Sequence, residues 1–373
     1  MRRAGSASLW RLVIPPLLTA KLLWLGVAFV VLRLDHPGEA LWPGLHASLL
    51  QWDAVSYLQI AAHGYPATIS DPHAYLDAFL PGFPLLLRAA QLPVHDHVLA
   101  AWLVALAAEA IALWYVARLV LGERDRSAAA FSVWLLALAP TALFLTAPFT
   151  ESPFIAAAAA SLYYARADRP RAAALAAAVA SAIRITGLAL LPALALETLM
   201  RNRWRPRSSL GWLALVPLPV LLYGAYMQVH AGDALALLRA NSLPSFNHFI
   251  AWPWDGLATT WNTLLSASDG ETRSIFAREV AFGLLGAVAC AGMWASTRMP
   301  RSLALYCTLA WLLTASLSFW RSEPRYALAL FPVVLLVSDL SARAGRLRYA
   351  AVGASGVLMC AGVWVFAEGR WLG

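Results

Sequence analysis

The sequence predicts an all-α protein threaded many times through a membrane, and three observations predict it. Of 373 residues, 61% are hydrophobic and only 13% charged, with a mean hydropathy of +0.64. Soluble domains carry roughly 25% charged residues. Apolar runs recur from the first turn of the chain to the last. A run of about 20 such residues spans a bilayer as a helix, because backbone N–H and C=O groups in hydrocarbon must pair within the segment. Arginines gather in short stretches between these runs, as the positive-inside rule requires of cytoplasmic loops. No room is left for a sizeable soluble domain, so residues 1–373 read as one transmembrane unit.

About eleven spans follow in order. The first is Leu12–Leu32, preceded by Met1-Arg2-Arg3; it is long enough to span and has no clear small-residue cleavage site, so it reads as a retained anchor. Then come Val98–Val120, Ala128–Ala147, Ser152–Ala165, Ala172–Ile183, Gly187–Met200 and Trp212–Val229. The last are Ile275–Ser296, Ser302–Phe319, Tyr326–Leu340 and Tyr349–Phe366. With a cytoplasmic N-terminus, Arg124/Arg126, Arg166/Arg169/Arg171, Arg201–Arg207, Arg298/Arg301 and Arg343/Arg346/Arg348 fall on one side. That requires residues 172–200 to be two short helices meeting near Arg184, since one long helix would invert everything downstream. Two loops, 33–97 and 230–274, then lie outside. Both are rich in Trp, Pro, Asp and His.

The formal charge of +8 belongs to this topology and gives no footprint for nucleic acid, because no basic stretch is interleaved with aromatics on a polar domain. Lys21, the only lysine, lies mid-span and is expected to face the bundle or to snorkel. Cys290, Cys307 and Cys360 lie within apolar segments without metal or disulfide spacing. Asp71, His73 and Asp77 could be drawn as a metal triad, but loop acids and histidines of this kind are usually solvated, and no metal site is expected. No internal repeat and no phosphate-loop motif are seen.

Residues 51–65, Gln-Trp-Asp-Ala-Val-Ser-Tyr-Leu-Gln-Ile-Ala-Ala-His-Gly-Tyr, predict a short amphipathic helix on the outer membrane surface. At 100° per residue Ala54, Val55, Leu58, Ala61 and Ala62 gather on one side, and Asp53, Ser56, Gln59 and His63 on another. Gly64 closes it. Asp53 thus stands at a helix start, where an acid is favoured by the dipole whether or not it does chemistry. Periodicity leaves those alternatives open.

Trp52-Asp53-Ala54, Tyr57-Leu58, Ile60-Ala61 and His63-Gly64-Tyr65, followed by residues 78–85 (Ala-Phe-Leu-Pro-Gly-Phe-Pro-Leu), resemble the PIG-V family. These are the mannosyltransferases that add the second mannose of GPI anchors, with their bacterial relatives. Residues 146–152 (Thr-Ala-Pro-Phe-Thr-Glu-Ser), Ala182–Gly187 around Arg184, residues 251–256 (Ala-Trp-Pro-Trp-Asp-Gly) and Pro324-Arg325-Tyr326 are similar to further family positions, in order along most of the chain. The first pair of motifs is the specific one. Family members often carry His or another polar residue where Ser56 stands.

The resemblance implies a GT-C fold and inverting transfer of mannose, or a similar sugar, from a polyprenyl- or dolichyl-phosphate donor on the extracytoplasmic face. Since GPI anchors are eukaryotic, a bacterial relative would use a different acceptor. Such a donor brings its own phosphate leaving group, so one carboxylate is enough to take the acceptor's proton. Asp53 is the expected base. Arg184, then Arg325 with Tyr326, are the expected donor-phosphate and lipid contacts, because a fixed guanidinium stabilises charge on the leaving group. The bland reading for Arg184 is a snorkelling interfacial arginine, and for Arg325 a salt bridge to Glu323 or Glu151. Trp52, Tyr57, His63, Asp77, Glu151, Trp252 and Trp254 are candidate sugar or acceptor contacts. No cofactor is implied. The expected partners are the lipid-linked donor, membrane lipids, and a glycan, lipid or protein acceptor; the expected location is a bacterial inner membrane. The reading from another class is a transporter or lipid flippase, which would place ionisable residues near the bilayer midplane in paired, broken helices. This chain instead concentrates acids and aromatics in one outer loop. A subunit without catalytic activity would not need to keep both Asp53 and Arg184.

Overall fold

A chain this apolar satisfies its backbone by helix formation, and in the computed structural model, which describes residues 6–372, every regular element is a helix. The basic start Met1-Arg2-Arg3 lies outside the described residues. Helix α1 (Ser6–Asp35) continues through Pro15 and Pro16. Three short helices follow: α2 (Leu41–Leu49), α3 (Asp53–His63) and α4 (Gly82–Gln91), with a 3-10 turn at Ala74–Ala78 between the last two. Next come α5 (His97–Glu123) and α6 (Arg126–Ala137), each started by an aspartate whose carboxylate accepts first-turn N–H groups: Asp96 from Val98 and Leu99, Asp125 from Ala128. The middle of the chain holds α7 (Leu143–Thr146), α8 (Glu151–Arg166), α9 (Pro170–Ile183), α10 (Leu190–Arg201), α11 (Leu218–Ala231) and α12 (Ala236–Ser242). The rest is α13 (Pro253–Ser266), α14 (Gly270–Ala295), α15 (Arg301–Ala315), the single turn α16 (Glu323–Tyr326), α17 (Val333–Ser341) and α18 (Leu347–Ala367).

Among the described residues five helical stretches are long and apolar enough to cross a membrane: Leu9–Asp35, His97–Glu123, Ser208–Ala231, Gly270–Ala295 and Leu347–Ala367. A sixth would be Glu323–Leu330 with Val333–Ser341, bent by 77° at Pro332. Arg126–Ala137, Pro170–Ile183 and Arg301–Ala315 are apolar but shorter; α8 and α10 cover the two remaining runs. The eleven apolar runs therefore do not make eleven full-length spans. Proline accounts for two of the interruptions, because it removes an N–H donor and clashes with the preceding turn. Residues 128–147, expected as one span, break around Pro140 into α6 and α7. Residues 172–200 are two helices, α9 and α10, parted at Arg184 and a 3-10 turn at Ile185–Ala189.

The core lies around α8, which is buried from Glu151 to Tyr163 and packs between α5 and α9. Its run Ala156–Ala160 lets neighbouring backbones approach closely, and Ser161 Oγ reaches the carbonyl of Ala173 across that gap (2.9 Å). Lys21 faces this bundle, as one of the two sequence readings had it. It is paired with Glu109 of α5 and donates to Thr146 Oγ1 (2.6 Å). Two opposite charges buried together in apolar surroundings neutralise each other locally.

Candidate active site

The short helix α3 is set into the bundle rather than laid along its surface. Ala54, Ser56, Tyr57, Ile60 and Ala61 are buried, while Val55 and His63 are exposed, so the polar and apolar sectors predicted from periodicity do not divide outside from inside. The reason is that the helix has protein on more than one side: Tyr57 packs edge-on against Phe79 and Phe83 at 5.1 and 5.0 Å. Burial and the nearby Asp53 carboxylate push the Tyr57 phenol above its ordinary value, which keeps it neutral. Gly64, at φ +79°, ends the helix as expected, its N–H bonding the carbonyl of Ile60 (2.9 Å).

Asp53 is the first residue of α3, and Trp52 before it holds φ +44°. A non-glycine residue there is strained, and the strain is held by packing: the Trp52 ring lies edge-on to Phe366 (5.3 Å) and Trp371 (5.2 Å) from the end of the chain. The turn aims the Asp53 carboxylate at Arg325 of α16, with Oδ2 accepting from Nη1 at 2.7 Å. Arg325 also donates from Nε to Glu151 Oε1 (3.0 Å), and the same oxygen accepts from Arg184 Nη1 (2.6 Å). Arg184 Nη1 reaches Thr150 Oγ1 as well (3.2 Å).

A continuous string results: Asp53, Arg325, Glu151, Arg184. Each member stands at a helix end or break, which is why four segments distant in sequence can converge. Asp53 and Glu151 open α3 and α8, where the dipole favours a negative charge, and Arg184 follows the C-terminus of α9, where it favours a positive one. The side chains of Glu151 and Arg325 are 1% and 5% exposed, whereas Asp53 is 21% exposed and is the most open member. Both guanidinium planes rest on aromatic faces, Arg325 over Phe149 (4.7 Å) and Phe144 (5.3 Å), Arg184 over Tyr326 (5.1 Å) and Phe154 (5.8 Å). Among the described residues Arg184 donates hydrogen bonds only through Nη1, and Arg325 only through Nε and Nη1. Further N–H groups of both therefore remain for an anion.

Two glycines fix where Arg184 sits. A Cβ on Gly82, the first residue of α4, would lie 2.6 Å from the backbone of Ala182; one on Gly187 would lie 2.4 Å from that of Ser181. Only glycine lets α4 and the turn after Arg184 close onto the end of α9. Gly256 does the same for α13, which abuts the Leu317 carbonyl just before Arg325.

Seven sequence candidates thus stand in or against one cluster: Asp53, Arg184, Arg325, Glu151, with Trp52 and Tyr326 as walls and Tyr57 behind. Arg184 is ion-paired rather than snorkelling, and Arg325 pairs with Glu151 and Asp53 rather than with Glu323. The others lie elsewhere. His63 is exposed at the far end of α3, about 15 Å along the axis from Asp53. Asp77 is buried and bound to Arg239 (3.1 Å), which also holds Asp233 (2.5 Å), while the Tyr223 hydroxyl donates to the Asp77 carbonyl (2.8 Å). Burial pushes the Asp77 carboxyl up to about 6, against the pull of Arg239. Asp77 ties the first loop to the second and is not among the residues around Asp53; Asp71 and His73 bond each other (3.1 Å). Trp252 and Trp254 stack in parallel at 5.0 Å and are well exposed at the start of α13. Phe144, Phe149, Phe366 and Trp371 were missed as site residues. Phe149 stands in the quoted Pro148-Phe149-Thr150-Glu151 stretch, whereas nothing in the local sequence marks Trp371.

No family model matches the sequence, and no curated protein matches it. Solved structures of the oligosaccharyltransferase AglB from Archaeoglobus fulgidus are similar at 12% identity. The apo form gives a TM-score of 0.44 over 94% of this chain and 55% of that one. The form tethered to an acceptor peptide containing the NVT sequon gives 0.42 over 94% and 55%. The complex with an inhibitory peptide and a dolichol-phosphate gives 0.42 over 95% and 56%. The chain thus spans little more than half the length of these proteins.

Proposed function

We propose that this chain is an inverting glycosyltransferase of the GT-C type, moving mannose or a similar sugar from a polyprenyl-phosphate donor to an acceptor hydroxyl. The observation that carries the reading is the string Asp53–Arg325–Glu151–Arg184, in which a partly open carboxylate lies beside two buried, oriented guanidiniums. One carboxylate to take a proton and fixed cations to meet a leaving phosphate are what this transfer requires.

The acceptor oxygen attacks the anomeric carbon from the face opposite the phosphate. The new glycosidic bond forms as the bond from that carbon to the phosphate oxygen breaks, and the hydroxyl proton goes to Asp53. The phosphate leaves on its lipid as a monoester, its added charge met by Arg184 and Arg325. Arg325 has N–H groups to spare for the phosphate while it holds Asp53 through Oδ2, which leaves Oδ1 of Asp53 to take the proton. Trp52 and Tyr326 border the space where sugar and lipid phosphate would sit; Trp252 and Trp254 offer a flat aromatic face to an acceptor. The chemistry needs no cofactor from the residues present. The partners are the lipid donor, membrane lipids and a glycan, lipid or protein acceptor, and nucleic acid has no part. The setting is a bacterial inner membrane, with the N-terminus cytoplasmic and Asp53 outside.

The test is transfer from radiolabelled polyprenyl-phosphate-mannose by purified protein in native lipid extract, for wild type and Asp53→Asn. Transfer by the wild type alone supports enzyme and base together. Equal transfer by both removes Asp53 from that role, and transfer by neither sinks the reading. A transporter or lipid flippase is the second reading, favoured by one observation: the buried Lys21–Glu109 pair within two apolar spans. Movement of the labelled lipid across proteoliposomes without sugar transfer would bring it forward.

A further inference from the structure

At the end of the bundle away from Asp53 lies a cavity of about 630 Å³, within the range of roughly 300–1,000 Å³ that ligand pockets occupy. Helix α18 joins the two places. Arg348 and Tyr349 of its first turn line the cavity, and Phe366 near its end packs on Trp52, about 26 Å farther along the axis. The wall is also made from the junction of α5 and α6, the end of α17 and the loop after α14. The cavity therefore lies where apolar spans end, at the depth of lipid headgroups.

Its lining carries four arginines, Arg124, Arg298, Arg346 and Arg348, against two aspartates. Both aspartates are already engaged. Asp339 takes a two-pronged ion pair from Arg124 (2.6 and 2.7 Å), and Asp125 caps α6. Arg298 and Arg346 form no ion pair among the described residues. Arg348 binds only neutral groups, Ser127 Oγ (2.6 Å) and the Tyr349 hydroxyl (2.8 Å), and its Nε is buried without a partner. Helix α18 begins here with no side-chain cap, so its dipole adds to the positive field. Leu340 and Leu347, 75% and 74% exposed, adjoin the lining residues Asp339, Arg346 and Arg348 in sequence and offer apolar surface for an acyl chain.

We propose that this cavity binds the phosphate headgroup of an anionic membrane lipid. Three arginines without a carboxylate partner converge on a space at headgroup level, and exposed leucines adjoin its lining residues in sequence. That is the composition expected of a basic lipid pocket between spanning helices. The inference stands apart from glycosyl transfer, since it uses none of the residues around Asp53.

The experiment is lipid binding to the purified full chain in detergent, followed by native mass spectrometry with phosphatidylglycerol and phosphatidylcholine, and with glycerol 3-phosphate as a soluble competitor. The wild type should retain phosphatidylglycerol preferentially. Arg298→Gln with Arg346→Gln should weaken that binding about 25-fold, at about fivefold per arginine. Arg203→Gln with Arg205→Gln, in another exposed basic stretch, should leave it unchanged. Neither Arg298 nor Arg346 makes an ion pair, so the double variant should unfold thermally as the wild type does without added lipid. Equal retention of the two lipids, equal binding by wild type and the Arg298/Arg346 variant, or equal loss in the Arg203/Arg205 variant would overturn the proposal. Displacement of the lipid by glycerol 3-phosphate at equal concentration would also overturn it, in favour of a soluble anion.

Discussion

Asp53 and Arg325 stand 272 residues apart in sequence and meet at 2.7 Å, carboxylate to guanidinium. The same guanidinium holds Glu151 at 3.0 Å, so one buried cation joins the most open acid of the site to its most buried one.

Removing that cation strands Asp53 and leaves Glu151 to Arg184 alone. Arg325→Gln should lower stability by about 3 kcal/mol, because breaking a buried ion pair leaves uncompensated charge. Arg325→Lys should fall between, keeping the charge but losing the two-pronged geometry. Thermal unfolding in detergent measures both; a Gln variant as stable as wild type would mean the string contributes nothing to folding.

Glu151→Gln keeps the shape of the side chain and removes the charge shared by the two arginines. With the pair left more positive, the donor phosphate should bind more tightly, while less well-oriented guanidiniums make the chemical step slower. The expected result is a lower KM for the lipid donor and a kcat reduced about tenfold, or about 1.4 kcal/mol, part of what fully oriented donors supply in the transition state. A raised KM at unchanged kcat would contradict it.

Gly82→Ala and Gly187→Ala each force a methyl group against the backbone beside Arg184. Overpacking of this kind costs about 1–3 kcal/mol, and a shift of the arginine by about 1 Å could cost on the order of 100-fold in rate. Gly26→Ala in α1 is the control, since nothing lies within 4 Å of its added methyl. Unfolding temperatures and transfer rates of the three should separate the first two from the third.

Asp77 has its carboxyl raised to about 6, chiefly by burial. Between the ordinary carboxylate value and about pH 6 the folded protein keeps a proton that the unfolded chain has lost. Stability from this group is therefore complete below about pH 4 and lost as the pH rises through 6. Arg239→Gln removes the partner of the ionised form. It should cost about 2 kcal/mol at pH 8 and clearly less at pH 5, where Asp77 is largely protonated. Thermal unfolding at the two pH values checks the sign; a deficit independent of pH would put Asp77 outside the effect.

Much of the site was legible as residue types at helix boundaries. Asp53 beside Trp52, Glu151 after Pro148, Arg184 before Gly187 and Arg325 after Pro324 each interrupt an apolar pattern, and a charge at such a break is conspicuous. Asp77 looked equally suitable, yet it turned to Arg239. Nothing local separated it from Asp53, because the difference lies in which distant arginine each meets. The prolines were visible too, but whether Pro140 and Pro15 would break or merely sit within a helix depended on the packing around them.

The sequence by itself determined that the chain is helical and apolar enough to cross a membrane several times, and which acids and arginines interrupt its apolar runs. Composition and periodicity suffice for that, since hydrocarbon tolerates little except internally bonded helices. Only the tertiary structure decided that Asp53, Arg325, Glu151 and Arg184 form one string while Asp77 and His63 stand outside it. Such pairing depends on how buried charges separated by 33 to 272 residues are brought together, and local periodicity carries no information across such distances.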